Sequence, residues 1–111
     1  MRMWNVKPKI LCRQHLLGEH REIHTMVGTI RSKKNIKGYL DGLYNISKLI
    51  KRHRVLVKEM KRRNYKHNSP INFTDRLRVC IWLIKNYKKW GWVDELKNLK
   101  YLKHNCRWCK C

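Results

Sequence analysis

Acidic residues are scarce in this chain: its 111 residues include seven Asp and Glu against 28 Lys and Arg, which gives a formal net charge of +21. So few carboxylates, spread along the chain, argue against a nuclease that holds its metal ions in a cluster of acids. Charge of this sign predicts a polyanionic partner. Nucleic acid is the first candidate and an anionic membrane surface the second.

Long apolar runs are lacking as well. No stretch approaches the roughly 18 residues needed to cross a bilayer, and the first residues, 1–4, are not followed by a signal-type apolar segment. We therefore expect an intracellular protein without a membrane partner. Most of its five cysteines are then expected to be reduced.

Strand-like alternation and internal repeats are also missing, and the apolar spacing instead predicts helices. The first helix is expected over residues 8–27, opened by its proline and stopped by Gly28. A basic loop over 29–45 follows. The second helix is expected over 46–63, with Asn64 as a left-handed residue at its end.

The second half of the chain begins with a break at residues 68–70. A third helix is expected to be capped near Thr74 or Asp75 and interrupted at Gly91, and a short fourth segment to cover about 93–102. We therefore predict an all-α fold, in which all 111 residues form one compact domain of three main helices plus a short C-terminal helical segment.

One face of the first predicted helix gathers groups that can carry chemistry. His15, Gly18, Glu19 and Glu22 lie at i, i+3, i+4 and i+7, with Arg21 beside them. A carboxylate among His and Arg can orient a proton transfer or stabilise a developing cation. The same spacing also fits ordinary ion pairs on a solvated helix, and the residues alone leave both interpretations open.

A longer motif runs through this helix: Gln14-His15-Leu16-Leu17-x-Glu19-x-Arg21-Glu22-Ile23, then Val27-Gly28-x-Ile30-Arg31. It resembles the first helix of the phage pyrimidine-dimer DNA glycosylase/AP lyases of the endonuclease V type, where the pattern reads Gln-His-Leu-Met-x-Glu-x-Arg-Glu-Leu. Residues 49–65 are similar to that family's second long helix. The resemblance covers residues 1–66 and leaves 67–111 as a basic, aromatic tail region with a cysteine-rich end.

The resemblance implies a role for each matched position. The nucleophile would be the α-amine of Met1, which attacks C1′ of a damaged nucleotide and forms an imine. Glu22 would be the catalytic acid, and Arg21 would support the distorted backbone. Gln14 and His15 would lie beside the substrate.

Phosphate contacts are expected from several further residues. The family has an arginine three positions after the catalytic acid; this chain has Thr25, and His24 or Arg31 would take over that contact. Cations would bind phosphates and aromatic rings would stack on unpaired bases. The remaining candidates come from the N-terminus, the loop and the tail: Arg2, Lys33, Lys34, Lys88, Lys89, Trp90 and Trp92.

The expected function is that of a DNA repair glycosylase with AP-lyase activity. It would act as a monomer on double-stranded DNA that carries pyrimidine dimers, other base damage or abasic sites, in the cytoplasm or nucleoid of a host cell if it is phage-encoded. Imine chemistry needs no metal or redox cofactor. The alternative is a non-catalytic basic protein that binds DNA, RNA or a ribonucleoprotein.

The C-terminal end supplies a separate candidate site. Cys106 and Cys109 form a C-x-x-C, the spacing of half a zinc site, and His104 with Cys111, or Cys12 brought in by folding, would complete a tetrahedral set. A second C-x-x-C is missing, and a reduced terminal tail is the alternative. Two further thiols, Cys12 and Cys80, lie in apolar helical settings and are expected in the core.

Overall fold

The computed structural model describes residues 2–67 and 69–109, and these residues form four α-helices. The helices are α1 (Arg13–Arg31), α2 (Leu49–Arg62), α3 (Phe73–Lys85) and α4 (Glu95–Asn105), with short 3-10 turns at Pro8–Ile10, Lys37–Tyr39 and Ile46–Lys48. No strand occurs in these described ranges; a single isolated bridge joins Asn45 to Gly91. The predicted all-α fold is confirmed.

The first helix begins and ends later than predicted. Pro8–Ile10 forms only a 3-10 turn, because Leu11 turns to an extended backbone (φ −71°, ψ 134°) and buries its side chain in the core. The helix then starts at Arg13. The predicted stop at Gly28 is wrong, since the next turn continues and buries Ile30.

The core lies where α1 packs against α2 and α3. Helix α2 presents an apolar face that buries Leu49, Leu56 and Met60, and Asn64 follows it with φ 62°, as the sequence predicted. The buried apolar residues come from every part of the described chain: Met3, Val6, Leu11, Leu16, Ile23, Met26, Val27, Ile30, Ile36, Tyr44, Ile46, Leu49, Leu56, Met60, Ile71, Val79, Leu102 and Cys109. The result is one compact globule with a radius of gyration of 13.9 Å.

Helix α3 differs from its prediction at both ends. Its cap is Asn72, whose side chain accepts a hydrogen bond from the Asp75 amide at 2.8 Å, and it ends at Lys85. Gly91 lies beyond the helix with φ 85°, where a Cβ would come within 2.1 Å of the Tyr44 carbonyl oxygen. The expectation that Cys80 is a core thiol is also wrong, because α3 turns this residue to solvent.

The N-terminal segment is held between the loop that contains Leu43 and helix α4. This helix ends at Asn105, slightly later than predicted. The Met3 amide donates to the Leu43 carbonyl at 2.8 Å, and Met3 is fully buried. From α4, the buried Asn98 side chain donates to the carbonyls of Met3 (3.3 Å) and Trp4 (2.9 Å). These contacts fix the backbone close to the start of the chain. None of the described helices has the length and apolar character needed to span a bilayer.

Candidate functional site

An open cleft of about 1060 Å³ lies along the first half of α1 and receives residues from both ends of the chain. It brings together five of the residues that the sequence predicted for a site, namely Arg2, Gln14, His15, Arg21 and Glu22. Its other lining residues are Trp4, Cys12, Arg13, Leu17, Gly18, Glu19, Tyr101 and Trp108. Met1, the predicted nucleophile, lies outside the described residues.

Glu22 is the half-buried carboxylate of this cleft. The cleft also carries three guanidinium groups, those of Arg2, Arg13 and Arg21, so an anionic ligand and Glu22 would share a cationic environment. Behind Glu22, the buried Tyr44 hydroxyl donates to the Glu22 backbone carbonyl at 3.4 Å. Burial, with Glu22 and Glu19 nearby, raises the pKa of Tyr44 well above its ordinary value, so its phenol stays a neutral donor.

Glu19 has a different environment, although it lies on the same helix three residues earlier. Its side chain is completely buried and accepts two hydrogen bonds from Arg52, at 2.6 Å from Nε and 2.9 Å from Nη2. Arg52 Nη1 also donates to the Val6 carbonyl at 2.7 Å. The pair therefore joins α1, α2 and the N-terminal segment. Glu19 is therefore a buried structural carboxylate and not part of a solvated helix face, and the chemical interpretation of this face stays a prediction that depends on Glu22.

Aromatic rings form one side of the cleft. Trp4 and Tyr101 are stacked, with ring centroids 5.7 Å apart and planes 25° apart, and the Arg2 guanidinium lies 4.9 Å and 5.4 Å from their centroids. Trp108 also lines the cleft and is 65% exposed. Exposed ring faces beside cations can receive a base and its phosphate.

The tail residues predicted for stacking and phosphate binding lie elsewhere. Trp90 donates its indole N–H to the Leu83 carbonyl at 2.9 Å, and Trp92 packs over Gly42. Lys88 and Lys89 are exposed in the same connection between α3 and α4. None of these four residues lines the cleft.

Four metal-ligating side chains converge beside the cleft: Cys12, His15, Cys106 and Cys109. His15 Nδ1 lies 3.0 Å from Cys12 Sγ and 3.3 Å from Cys109 Sγ, and the Cys12 and Cys106 sulfurs are 3.8 Å apart. A tetrahedral zinc ion with Zn–S of about 2.3 Å and Zn–N of about 2.0 Å would place its ligand atoms roughly 3.5–3.8 Å apart. The donor set and its spacing therefore fit zinc.

This cluster contains three of the thiols that the sequence offered for a C-terminal zinc set. Cys106 and Cys109 are in it and Cys12 joins them, whereas His104 is exposed on α4 and outside the cluster. Cys111 lies outside the described residues. Cys12 is thus no plain core thiol. The sequence contained a pattern that points here: Cys12-x-x-His15 has the same spacing as the C-x-x-C and supplies the missing second half.

A second cluster consists of His20 and His24 on α1, His53 on α2 and His67 after α2. Two Nε2–Nε2 distances are 3.1 Å, between His24 and His53 and between His67 and His20. Burial, followed by the neighbouring histidines, lowers the pKa of His20 and of His53 to about 4. His24, predicted to contact phosphate, therefore belongs to this cluster and not to the lining of the cleft.

A separate basic cleft of about 460 Å³ opens between the end of α1 and α3. It brings together Arg31, Lys33 and Lys34, all predicted to contact nucleic acid, with cations of α3. Its lining also includes Ile30, Arg78, Ile81, Trp82 and Lys85. Arg31 is held by Asp75, with Nη1 and Oδ2 3.1 Å apart. This arrangement suits a phosphate backbone that passes along the helix ends.

Comparison with known proteins gives one match. No curated protein and no solved structure matched the chain. A family model described as pyrimidine dimer DNA glycosylase matches residues 1–73. That range contains α1 and α2, including Glu22 and the cations around it, while α3, α4 and the C-terminal thiols lie almost wholly beyond it. Because the match covers well over half of the chain, the protein belongs to the pyrimidine dimer DNA glycosylase family.

Proposed function

We propose that this protein is a DNA glycosylase with AP-lyase activity, which acts as a monomer on intracellular double-stranded DNA that carries pyrimidine dimers or abasic sites. Membership of the family gives the glycosylase class. The observation that carries the finer proposal is the position of Glu22, in a cleft with aromatic rings and the guanidinium groups of Arg2, Arg13 and Arg21.

The proposed nucleophile is the α-amine of Met1. An α-amine has a pKa of about 7.7–8.0 and is partly neutral at physiological pH, and nearby cations lower that value further. Support for its position comes from Arg2, the next residue, which lines the cleft and donates to Asn98 Oδ1 at 3.3 Å. The Met3 amide, two residues from the proposed nucleophile, is anchored by its hydrogen bond to the Leu43 carbonyl.

The chemistry would proceed in two stages. The neutral amine forms a bond to C1′ while the bond from C1′ to the damaged base breaks, and the base leaves with the electron pair and takes up a proton. The sugar ring then opens to an imine. Loss of a proton from C2′ expels the 3′ phosphate, and the strand is cut.

Glu22 would serve both stages. Its carboxylate would stabilise the positive charge that develops at C1′ and later accept the C2′ proton. Because C1′ is hard to reach in a stacked duplex, a nucleotide must leave the stack, and the rings of Trp4, Tyr101 and Trp108 would offer surfaces for displaced bases. The second basic cleft would hold the phosphates of a neighbouring turn.

The test of this function is the replacement of Glu22 by Gln, with Asp41→Asn as the control, since Asp41 is an exposed carboxylate outside the cleft. We expect Glu22→Gln to nick abasic duplex at least about 100-fold more slowly than the parent protein, with DNA binding retained. Asp41→Asn should nick normally. Equal nicking by both variants would remove Glu22 from the mechanism. Binding without nicking by the parent protein would establish the non-catalytic alternative.

We further propose that Cys12, His15, Cys106 and Cys109 bind a structural zinc ion. Four protein ligands leave no open position, which is typical of structural and not of catalytic zinc. Burial raises the pKa of Cys109 to about 12, and a bound metal would reverse this, since a coordinating thiol is deprotonated. The ion would tie the C-terminal end to the start of α1 and keep Trp108, between the two C-terminal ligands, at the cleft.

Zinc content of the purified protein tests this site. We expect Cys106→Ser to lose one zinc ion per chain relative to the parent, as measured by plasma mass spectrometry. Cys80→Ser is the matched control, because Cys80 is an exposed thiol outside the cluster. It should retain all of the zinc. An unchanged zinc content in Cys106→Ser would show that these thiols bind no metal.

A further inference from the structure

We propose that His20, His24, His53 and His67 form a second metal site, independent of the thiolate site, which takes a divalent transition ion of the zinc class. The site uses four of the six histidines of the chain. Nothing in the glycosylase reaction requires them.

The geometry is that of four imidazoles that converge on one point. All four ligand atoms lie within 4.8 Å of one another. The nitrogens of the two closest pairs are 3.1 Å apart. A tetrahedral zinc ion with Zn–N of about 2.0–2.1 Å would hold its nitrogens about 3.3–3.4 Å apart, so the two closest pairs already have nearly the required spacing and the more distant nitrogens would move inward.

The local structure explains why these nitrogens meet. His20 and His24 are one helical turn apart on α1, a spacing that places two side chains on the same face. His53 comes from α2, which packs against α1, and His67 from the connection that leads to α3. Imidazole suits zinc, copper and nickel among the divalent ions.

Hydrogen bonds between neutral rings are the competing explanation for these contacts. Each close pair needs one ring as donor and the other as acceptor, and a hydrogen bond of this kind contributes only about 1 kcal/mol. If the contacts were only two independent hydrogen bonds, the His24–His53 pair and the His20–His67 pair would not need to be close to each other. Here they are close: the His20 ring centroid lies 4.7 Å from that of His24 and 4.9 Å from that of His53. Convergence of all four rings is what one shared ion requires.

The surroundings of the cluster can accept a divalent charge. The Ser69 carbonyl oxygen lies 3.3 Å from His53 Nε2. Burial lowers the pKa of His24, and the Asp75 carboxylate partly opposes that shift. Arg76 acts in the opposite direction on His53. A bound ion would join α1, α2 and the α2–α3 connection at one point, and would stabilise the folded state by its binding free energy.

Cobalt exchanged into the purified protein distinguishes the two sites. Co²⁺ bound by thiolates gives a charge-transfer band in the near ultraviolet, whereas Co²⁺ bound by four imidazoles gives only weaker visible bands. We expect the parent protein to bind two ions per chain, of which one shows the thiolate band. His67→Gln should lose one ion and keep that band, because His67 is half-exposed outside the helices and its loss disturbs packing least. His104→Gln, at an exposed histidine outside both clusters, should keep both ions.

Two further measurements keep the proposal falsifiable if a histidine variant folds poorly. Cys106→Ser should retain one ion that lacks the thiolate band. Zinc X-ray absorption of the parent protein should show an average of a sulfur-rich and an all-nitrogen environment. A single ion per chain in the parent with a purely sulfur-rich environment, or a second ion that persists in His67→Gln, would overturn the proposal. Neither result would bear on strand nicking, so the glycosylase proposal is tested separately.

Discussion

At the scale of single residues, two carboxylates on one helix show how burial decides what a group can do. Glu19 and Glu22 are less than one turn apart on α1, yet Glu19 is fully paired with Arg52 and Glu22 faces the open cleft. A buried and paired carboxylate is a structural element, because removing one partner leaves an uncompensated charge. A carboxylate in an open cationic cleft is free to act on a substrate. Replacement by Gln should therefore lower the stability of the fold at Glu19, but lower the rate of strand nicking at Glu22.

Replacing Glu19 by Gln should destabilise the fold by about 3–5 kcal/mol, since the buried Arg52 guanidinium loses its partner. Chemical denaturation monitored by circular dichroism measures this change. Glu95→Gln is the control: Glu95 is exposed and accepts a hydrogen bond from the Asn5 side chain, so its replacement should cost at most about 1 kcal/mol. If Glu19→Gln is as stable as Glu95→Gln, the ion pair does not hold α1, α2 and the N-terminal segment together.

At the scale of secondary-structure elements, a short polar residue decides where α3 begins. Asn72 precedes α3, and its side chain accepts a hydrogen bond from the Asp75 amide, a backbone donor that the first helical turn leaves unpaired. The sequence had predicted the cap near Thr74 or Asp75 instead, but Thr74 lies within the first turn and is exposed.

The cap can be tested directly, because the two candidates are two residues apart. Asn72→Ala should lower the free energy of unfolding by about 1 kcal/mol, within a range of roughly 0.5–2 kcal/mol. Thr74→Ala should change it by less than about 0.5 kcal/mol. Thermal or urea denaturation of both variants gives the comparison. A larger decrease in Thr74→Ala than in Asn72→Ala would contradict the cap seen in the structure.

Local patterns predicted the elements, while tertiary contacts decided their limits. The 3.6-residue apolar spacing was enough to predict α1 and α2, and Asn64 ends α2 as expected because this residue type tolerates positive φ. The end of α1 was missed because Ile30 gains burial only when α1 meets the rest of the core. Cys80 was misassigned because one apolar face of α3 remains exposed, which no local pattern reveals.

The candidate site was predictable to the extent that it lies on one helix. Gln14, His15, Arg21 and Glu22 follow from a contiguous motif, and the structure brings them into one cleft. Trp108 comes from the other end of the chain, and its arrival depends on how α4 docks against the N-terminal segment. Residue spacing does not give long-range placement of this kind. The Cys12-x-x-His15 spacing, which matches the C-x-x-C, was an unused signal for contact between the two ends.

At the scale of the whole molecule, eight of the 28 Lys and Arg residues line two separate clefts, three in the first and five in the second. The first cleft surrounds Glu22 and would receive the damaged nucleotide. The second carries Arg31, Lys33 and Lys34 beside α3 and would hold backbone phosphates. The affinity for DNA should therefore depend on salt through the cations of both clefts. The rate of strand nicking should depend on the residues of the first cleft.

The salt dependence of DNA binding checks this division. The logarithm of the association constant should fall linearly with the logarithm of salt concentration, with a slope of about −0.9 per neutralised phosphate. Lys34→Ala combined with Lys85→Ala should make the slope less steep by about 0.9 for each phosphate that the variant no longer neutralises. Lys58→Ala, at an exposed lysine of α2 outside both clefts, should leave the slope unchanged. A flat salt dependence in the parent protein would show that phosphate binding does not determine affinity.

The central claim is that the α-amine of Met1 forms a covalent imine with DNA under the control of Glu22, and borohydride trapping tests it most directly. Incubation with abasic duplex and borohydride, followed by proteolysis and mass spectrometry, should place the DNA adduct on the N-terminal peptide. A one-residue extension before Met1, or acetylation of its amine, should abolish trapping and leave DNA binding nearly intact, because displacement of a reacting group by about 1 Å can cost on the order of 100-fold in rate. An adduct on a lysine, or equal trapping by the extended protein, would contradict this mechanism.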